Sequence, residues 1–183
     1  YYHLLEAIIN NNKVTIHIYH NNNIDNFIRI ILTYIQFMYN VSKYNRDIAI
    51  TYYLTNCKKT LKNKILTPDE VNTGSSSIID ITIWRKEEVF KTTIHELMHI
   101  MNLDYRDDPI NIIKYYQKKY DCSSNIMNTF EAYTDMWAIL INVFLSTKLL
   151  NNNYKFFVEM INLEQLFTHY QANKILKLNK NYN

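Results

Sequence analysis

The sequence predicts an α+β fold, a small twisted sheet packed on a mostly helical second half, and three observations carry that reading. Segments with the two-residue alternation of strands occur only before residue 85. Everything after residue 85 repeats with helical spacing. No Pro- or Ser-rich linker and no internal repeat divides the 183 residues, which suits one domain over 1–183. Within it, a sheet region spans about 1–84 and a helical region about 85–183.

The elements follow in order. Val14, Ile16 and Ile18 alternate with Thr15, His17 and Tyr19, so residues 14–19 read as a half-buried strand. Residues 24–39 place Ile24, Phe27, Ile28, Ile31, Tyr34, Ile35 and Met38 on one helical face. Residues 47–55 read as a second strand, and the basic stretch 58–64 fits neither period. Residues 68–77 read as a loop around the only glycine. A third strand, 77–84, puts Ile79, Ile81 and Ile83 on one face.

From Arg85 the period is helical, with Val89, Phe90, Ile94, Leu97, Met98 and Met101 as the apolar stripe. The charged run Arg85-Lys86-Glu87-Glu88 reads as a solvated first turn. Asp107-Asp108-Pro109 interrupts the stripe and starts a further helix, because acidic residues and a proline suit a helix start. Residues 125–150 form a long helix with Phe130, Met136, Trp137, Leu140 and Phe144 inside, and 154–178 a last one.

Composition removes whole function classes. A single glycine, Gly74, cannot build the three-glycine dinucleotide fingerprint, the two-glycine phosphate loop or the two-glycine nucleophile elbow. Tight turns and left-handed helix caps must then use other residues. In a chain so poor in glycine, Gly74 itself implies a positive φ or a close backbone approach. Ile, Asn, Lys and Tyr make up roughly 45% of the chain, a bias that matches an AT-rich genome rather than a fold. The formal charge of +3, with no block of like charges, gives no indication of nucleic-acid binding. The aromatic and basic residues at 115–120 read as an amphipathic helix face. Two cysteines, Cys57 and Cys122, build no disulfide framework and read as free thiols of a reducing, intracellular setting, with one lone bridge as the alternative. The longest apolar run, 136–145, contains Asn142 and is too short for a membrane span.

The chemistry concentrates in His95-Glu96-Leu97-Met98-His99. Two histidines at i and i+4 stack on one helix face, so both rings reach one ion from one rigid element. Glu96 beside them can take a proton from an attacking water and pass it to a leaving amine. A chain of this length with six histidines contains such a motif by chance roughly 0.01 times. A catalytic zinc site takes three protein ligands and leaves one position open. Glu131, on the next long helix, is the expected third ligand, and Asp135, one turn on, the expected partner of a ligand histidine. Asp104, Asp107 and Asp108 offer an alternative carboxylate.

His95-Glu96-x-x-His99 followed by Glu131-x-x-x-Asp135 resembles the gluzincin branch of zinc metallopeptidases. The metzincin pattern fits poorly, because Asn102 and Tyr105 stand where its glycine and third ligand belong. Residues 71–74, 84–88 and 131–138 further resemble predicted metallopeptidases of giant DNA viruses, which would place the chain in a host cytoplasm or a virion. The resemblance implies a zincin-like fold, one Zn²⁺ ion, and zinc-dependent hydrolysis of peptide bonds with Glu96 as general base. A peptide or protein substrate would pair with the edge strand before the active-site helix, placed at 77–84, with Ile81 and Ile83 as substrate-binding residues. It also implies a Tyr or His that stabilises the oxyanion, for which His169 and Tyr170 of the last helix are the candidates. The alternative is a catalytically degenerate zincin that binds a peptide or protein without cleaving it.

Overall fold

A computed structural model describes residues 1–60, 67–105 and 107–180 of the chain. The last residues of the basic stretch 58–64 lie outside the described residues. Strands β1 (Tyr2–Ile9) and β2 (Asn12–Tyr19) pair antiparallel, with Tyr2 opposite Tyr19 and Ile9 opposite Asn12. The two turn residues between them, Asn10 and Asn11, have φ of 48° and 67°. A two-residue hairpin turn of this kind demands positive φ, and asparagine supplies it where glycine is the usual choice. Helix α1 (Asp25–Ser42) then crosses over to β3 (Ile48–Tyr53), which pairs parallel with β2.

Residues 68–77 are not simply a loop. They contain a one-turn helix, α2 (Pro68–Val71), and a short strand, β4 (Gly74–Ser76). The expected third strand is β5 (Asp80–Ile83), parallel to β3 and antiparallel to β4. The sheet order is β1-β2-β3-β5-β4, so β5 is internal and β4 is the edge. Ile79 lies before β5 and is exposed, off the face that Ile81 and Ile83 share.

The helical half consists of α3 (Val89–Ile100), α4 (Ile110–Tyr120), α5 (Thr129–Leu150) and α6 (Tyr154–Lys180). Together these elements make an α+β chain with a five-stranded mixed sheet. Val14, Ile16 and Ile18 of β2, Ile50 and Tyr52 of β3, and Ile81 and Ile83 of β5 share one buried cluster with Ile31, Ile35 and Met38 of α1 and Ile94, Leu97 and Met98 of α3. The opposite face of the sheet carries exposed Tyr2, Tyr19 and Tyr53, the last two stacked at 4.8 Å.

Two ties fix the helices that carry the site. The Tyr52 hydroxyl of β3 lies 3.1 Å from Thr93 Oγ1 of α3, both buried. The Tyr34 hydroxyl of α1 reaches Asn142 Oδ1 at 3.2 Å and Ser146 Oγ at 3.0 Å on α5.

The interior of α5 differs from the expected one. Its buried residues are Thr134, Ala138, Val143, Leu145 and Thr147, while Met136, Trp137 and Phe144 are exposed. Small side chains at its inner positions let α3 approach closely, and the bulky ones are left outside. Helix α6 is unbroken and packs against α5. Cys57 and Cys122 are free thiols. Among the described residues no helix is long and apolar enough to cross a membrane.

Candidate metal centre

The site is built on α3. Its buried stripe of Ile94, Leu97 and Met98 fixes the helix against the sheet, which turns Thr92, His95, Glu96 and His99 toward a cavity of about 650 Å³. The end of α3 is equally specific. Asn102 takes a left-handed φ of 52°. The Leu103 N–H donates to the Met98 carbonyl at 2.9 Å, and the Asn102 N–H to the His99 carbonyl at 3.2 Å. This is a Schellman ending with asparagine in the glycine position. It reverses the chain so that Asp104 returns to α3, where its Oδ2 accepts from His99 Nδ1 at 2.7 Å.

Helix α5 brings the other carboxylates. Glu131 and Asp135 occupy its first two turns, where the helix dipole favours negative charge. Asp108 holds that end in place, accepting from the Met127 N–H at 3.1 Å and the Thr129 N–H at 3.0 Å. Asp108 was expected to start α4. Instead Pro109 stands at that N-cap with no side-chain cap, and the Asp108 carboxylate serves α5. The Thr129 hydroxyl and then its N–H pull the Asp108 pKa below the ordinary range.

Asp135 Oδ1 lies 3.2 Å from His95 Nδ1, and Lys91 Nζ lies 3.5 Å from the same oxygen. Each imidazole thus has its Nδ1 on a carboxylate, His95 on Asp135 and His99 on Asp104. With each Nδ1–H donating, each neutral ring presents the lone pair of its Nε2. Those two Nε2 atoms are 3.0 Å apart. Glu131 Oε2 stands 3.2 Å from the first and 3.5 Å from the second. Three electron-donating atoms therefore converge on one point, an arrangement that only a proton or a metal cation makes favourable. His95, His99 and Glu131 together could hold a metal ion.

The electrostatics agree. Burial lowers the His95 pKa, but hydrogen bonds to Asp135 and Glu131 outweigh it and push the value up to about 9. His99 is raised chiefly by Glu131. The hydrogen bonds of His95 and then His99 hold Glu131 down at about 2. Burial raises the Asp135 pKa, yet His95 and Lys91 bring it below the ordinary range. Glu96 is only 6% exposed and lines the cavity beside the two imidazoles. None of the hydrogen bonds or ion pairs among the described residues engages its carboxylate.

Gly74 sits where β4 meets α3. Its φ is not positive. The close approach is present instead: a Cβ there would stand 2.8 Å from Thr92 Cγ2 and 3.2 Å from both Ile83 Cγ1 and the Thr82 carbonyl oxygen. The glycine lets the edge strand lie against the helix face that carries the histidines.

The structure thus brings His95, Glu96, His99, Glu131 and Asp135 into one place. It does not bring His169 or Tyr170 there. Both are exposed on α6, and among the described residues none of α6 lines the cavity. Ile81 and Ile83 are also displaced from their expected role. They are 1% and 0% exposed, because β5 is an internal strand and these two side chains face the helix layer. Gly74, Ser75 and Ser76 of β4 line the cavity in their stead. Arg85, expected in a solvated turn, is buried. Asp104 is not in the ligand group; it lies behind His99.

The sequence reading missed Asp104 as the partner of His99, Lys91 as a neighbour of Asp135, and β4 as a cavity wall. The position of Lys91 at i−4 from His95 was the available signal for one of them. The chain matches no family model, no curated protein and no solved structure.

Proposed function

We propose that the chain is a zinc-dependent peptidase of the zincin type. One observation carries the reading: two Nδ1-anchored imidazoles and a carboxylate point their free donor atoms at a single locus, next to Glu96, whose carboxylate takes part in no hydrogen bond or ion pair among the described residues. The donor set fits the ion. Tetrahedral bonds of 2.0–2.1 Å to nitrogen and oxygen imply ligand-to-ligand edges of about 3.3 Å, against 3.0, 3.2 and 3.5 Å between the three donor atoms. Zinc bound there supplies a Lewis acid that polarises a scissile carbonyl and makes water a better nucleophile.

The chain's own residues do the rest. Glu96 accepts the proton of the attacking water and delivers it to the leaving amine. Asp135 and Asp104 hold the two imidazoles in the tautomer that leaves Nε2 free. The open edge of β4 pairs with an extended peptide backbone along the cavity, the role that 77–84 was expected to fill.

The test is turnover of a peptide library with zinc content measured in parallel. Glu96→Gln keeps one zinc and loses hydrolysis by about 10³-fold or more; unchanged turnover sinks the mechanism. His95→Ala and Glu131→Ala lose zinc and hydrolysis together.

A second reading, a zinc-containing peptide-binding module without turnover, has one observation in its favour. Among the described residues, the cavity is lined by no tyrosine and by no histidine beyond the pair on α3, so the usual oxyanion donor has no counterpart. One zinc per chain, with saturable peptide binding and no cleavage by the wild type, selects that reading.

A further inference from the structure

Helix α6 is 27 residues long and uses only its first part for packing. Phe156, Phe157, Met160 and Ile161 are half-buried, whereas from Gln165 to Lys177 every residue but Gln171 is exposed. A helical stretch of that length is marginal in water unless an apolar face is covered. This one has such a face. Leu166 and Phe167 each lie three or four residues from both Leu163 and Tyr170, so the four share one face, and they are 57%, 65%, 47% and 61% exposed in the order Leu163, Leu166, Phe167, Tyr170.

The two ends of that stripe carry opposite charge. Glu159 lies one turn before Leu163, on the same face, and is exposed. Lys174 lies one turn after Tyr170, with its Nζ 5.3 Å from that ring. A second helix of the same sequence, laid antiparallel, matches this pattern at a single register. A two-fold axis midway between Leu166 and Phe167 sets Leu166 against the partner's Phe167. It also sets Leu163 against the partner's Tyr170, and Glu159 against the partner's Lys174.

We propose that a second copy of this chain covers the α6 stripe, as an antiparallel helix pair with that two-fold axis. The patch is then self-complementary in its apolar pattern and its charge, as an isologous dimer requires. Among the described residues the one ion pair of Glu159 is with Lys155, 3.9 Å away on the same helix, and both groups are exposed enough for that pair to be weak. None of these residues lines the metal cavity, so the proposal stands apart from the peptidase reading.

Light scattering on the full chain tests it. The expected mass is twice the 22.1 kDa of one chain, and a single-chain mass up to about 100 µM overturns the proposal. Phe167→Glu should give a single-chain mass with unchanged helical circular dichroism; a dimer that survives it overturns this face. Glu159→Lys and Lys174→Glu should each raise the dissociation constant about tenfold, because each change acts twice across the axis. The double variant should return to within about threefold of wild type. Single charge variants that leave dimerisation unchanged, or a double variant as weak as the singles, overturn the register. A stripe covered by a different protein would show as a wild type that stays at 22.1 kDa.

Discussion

Helix α5 presents two faces with opposite fates. Toward α3 its first turns carry Glu131 and Asp135, both bonded to His95, with the small Thr134 and Ala138 buried beside them. On the outer side Tyr133, Met136 and Trp137 stay exposed, and α6 leaves the second half of its own apolar stripe uncovered. One junction is polar and closed within the chain, and the other is apolar and open. Polar groups of this kind must find their partners inside the fold. Apolar stripes can wait for a partner of any origin.

That contrast can be broken by substitution. The largest expected effect is in the α3 layer: Leu97→Ala, at a fully buried position, should cost about 2–5 kcal/mol of unfolding free energy. Leu163→Ala on α6 should cost less than about 0.5 kcal/mol in the single chain. Equal losses in chemical denaturation would erase the distinction. Next comes Asp104→Asn, which weakens the grip on His99 and should lower zinc affinity about 10–100-fold. The same change at the exposed Asp107 should leave affinity unaltered.

Gly74→Ala places a methyl against Thr92 and should destabilise by about 1–3 kcal/mol. A neutral result would mean that the edge strand is free to move away from α3. Proton linkage gives a smaller effect. Each ligand must shed its proton to bind metal, and His95 is raised to about 9. Zinc binding at pH 7 should therefore release protons, and apparent affinity should climb as pH rises from 6 toward 9. Calorimetry in two buffers of different ionisation enthalpy reads the release directly. The smallest effect concerns Asp108, whose pKa is depressed by Thr129. Its contribution is present above the ordinary carboxylate range and is lost as pH falls through the depressed value. Asp108→Asn should flatten that part of the acid unfolding curve.

The same contrast explains which parts were legible in the sequence. Spacing within one helix is local, so α3 and its histidines, and the pairing of Glu131 with Asp135 on α5, could be read directly. The strands 14–19 and 47–55 were equally clear, because one face of each is buried and the other is not. Strand β1 was not read as one. It lies at the sheet edge with Tyr2, Leu4 and Ile8 exposed, so its apolar residues do not alternate with polar ones. Strand β4 is three residues, Gly-Ser-Ser, and owes its place to pairing with β5 rather than to any side-chain pattern. Asp104 reaches His99 only because Asn102 reverses the chain, a left-handed turn that a glycine would have advertised. The scarcity of glycine did foretell that other residues would take such positions. Asn10, Asn11, Asn102, Asn128 and Asn152 all do so. His169 and Tyr170 could stand over the cleft only if α6 folded back across it. Their helix stays outside the cavity lining, and Tyr170 belongs to its uncovered stripe.

His95, His99 and Glu131 are proposed to hold one zinc ion. X-ray absorption at the zinc edge, on the chain loaded with one equivalent, addresses that proposal most directly. The account predicts two imidazole nitrogens at about 2.0–2.1 Å, light-atom oxygen completing a four-coordinate shell, and loss of that spectrum in His99→Ala. A sulfur shell, a site with fewer than two imidazoles, or no stoichiometric zinc at all would contradict it.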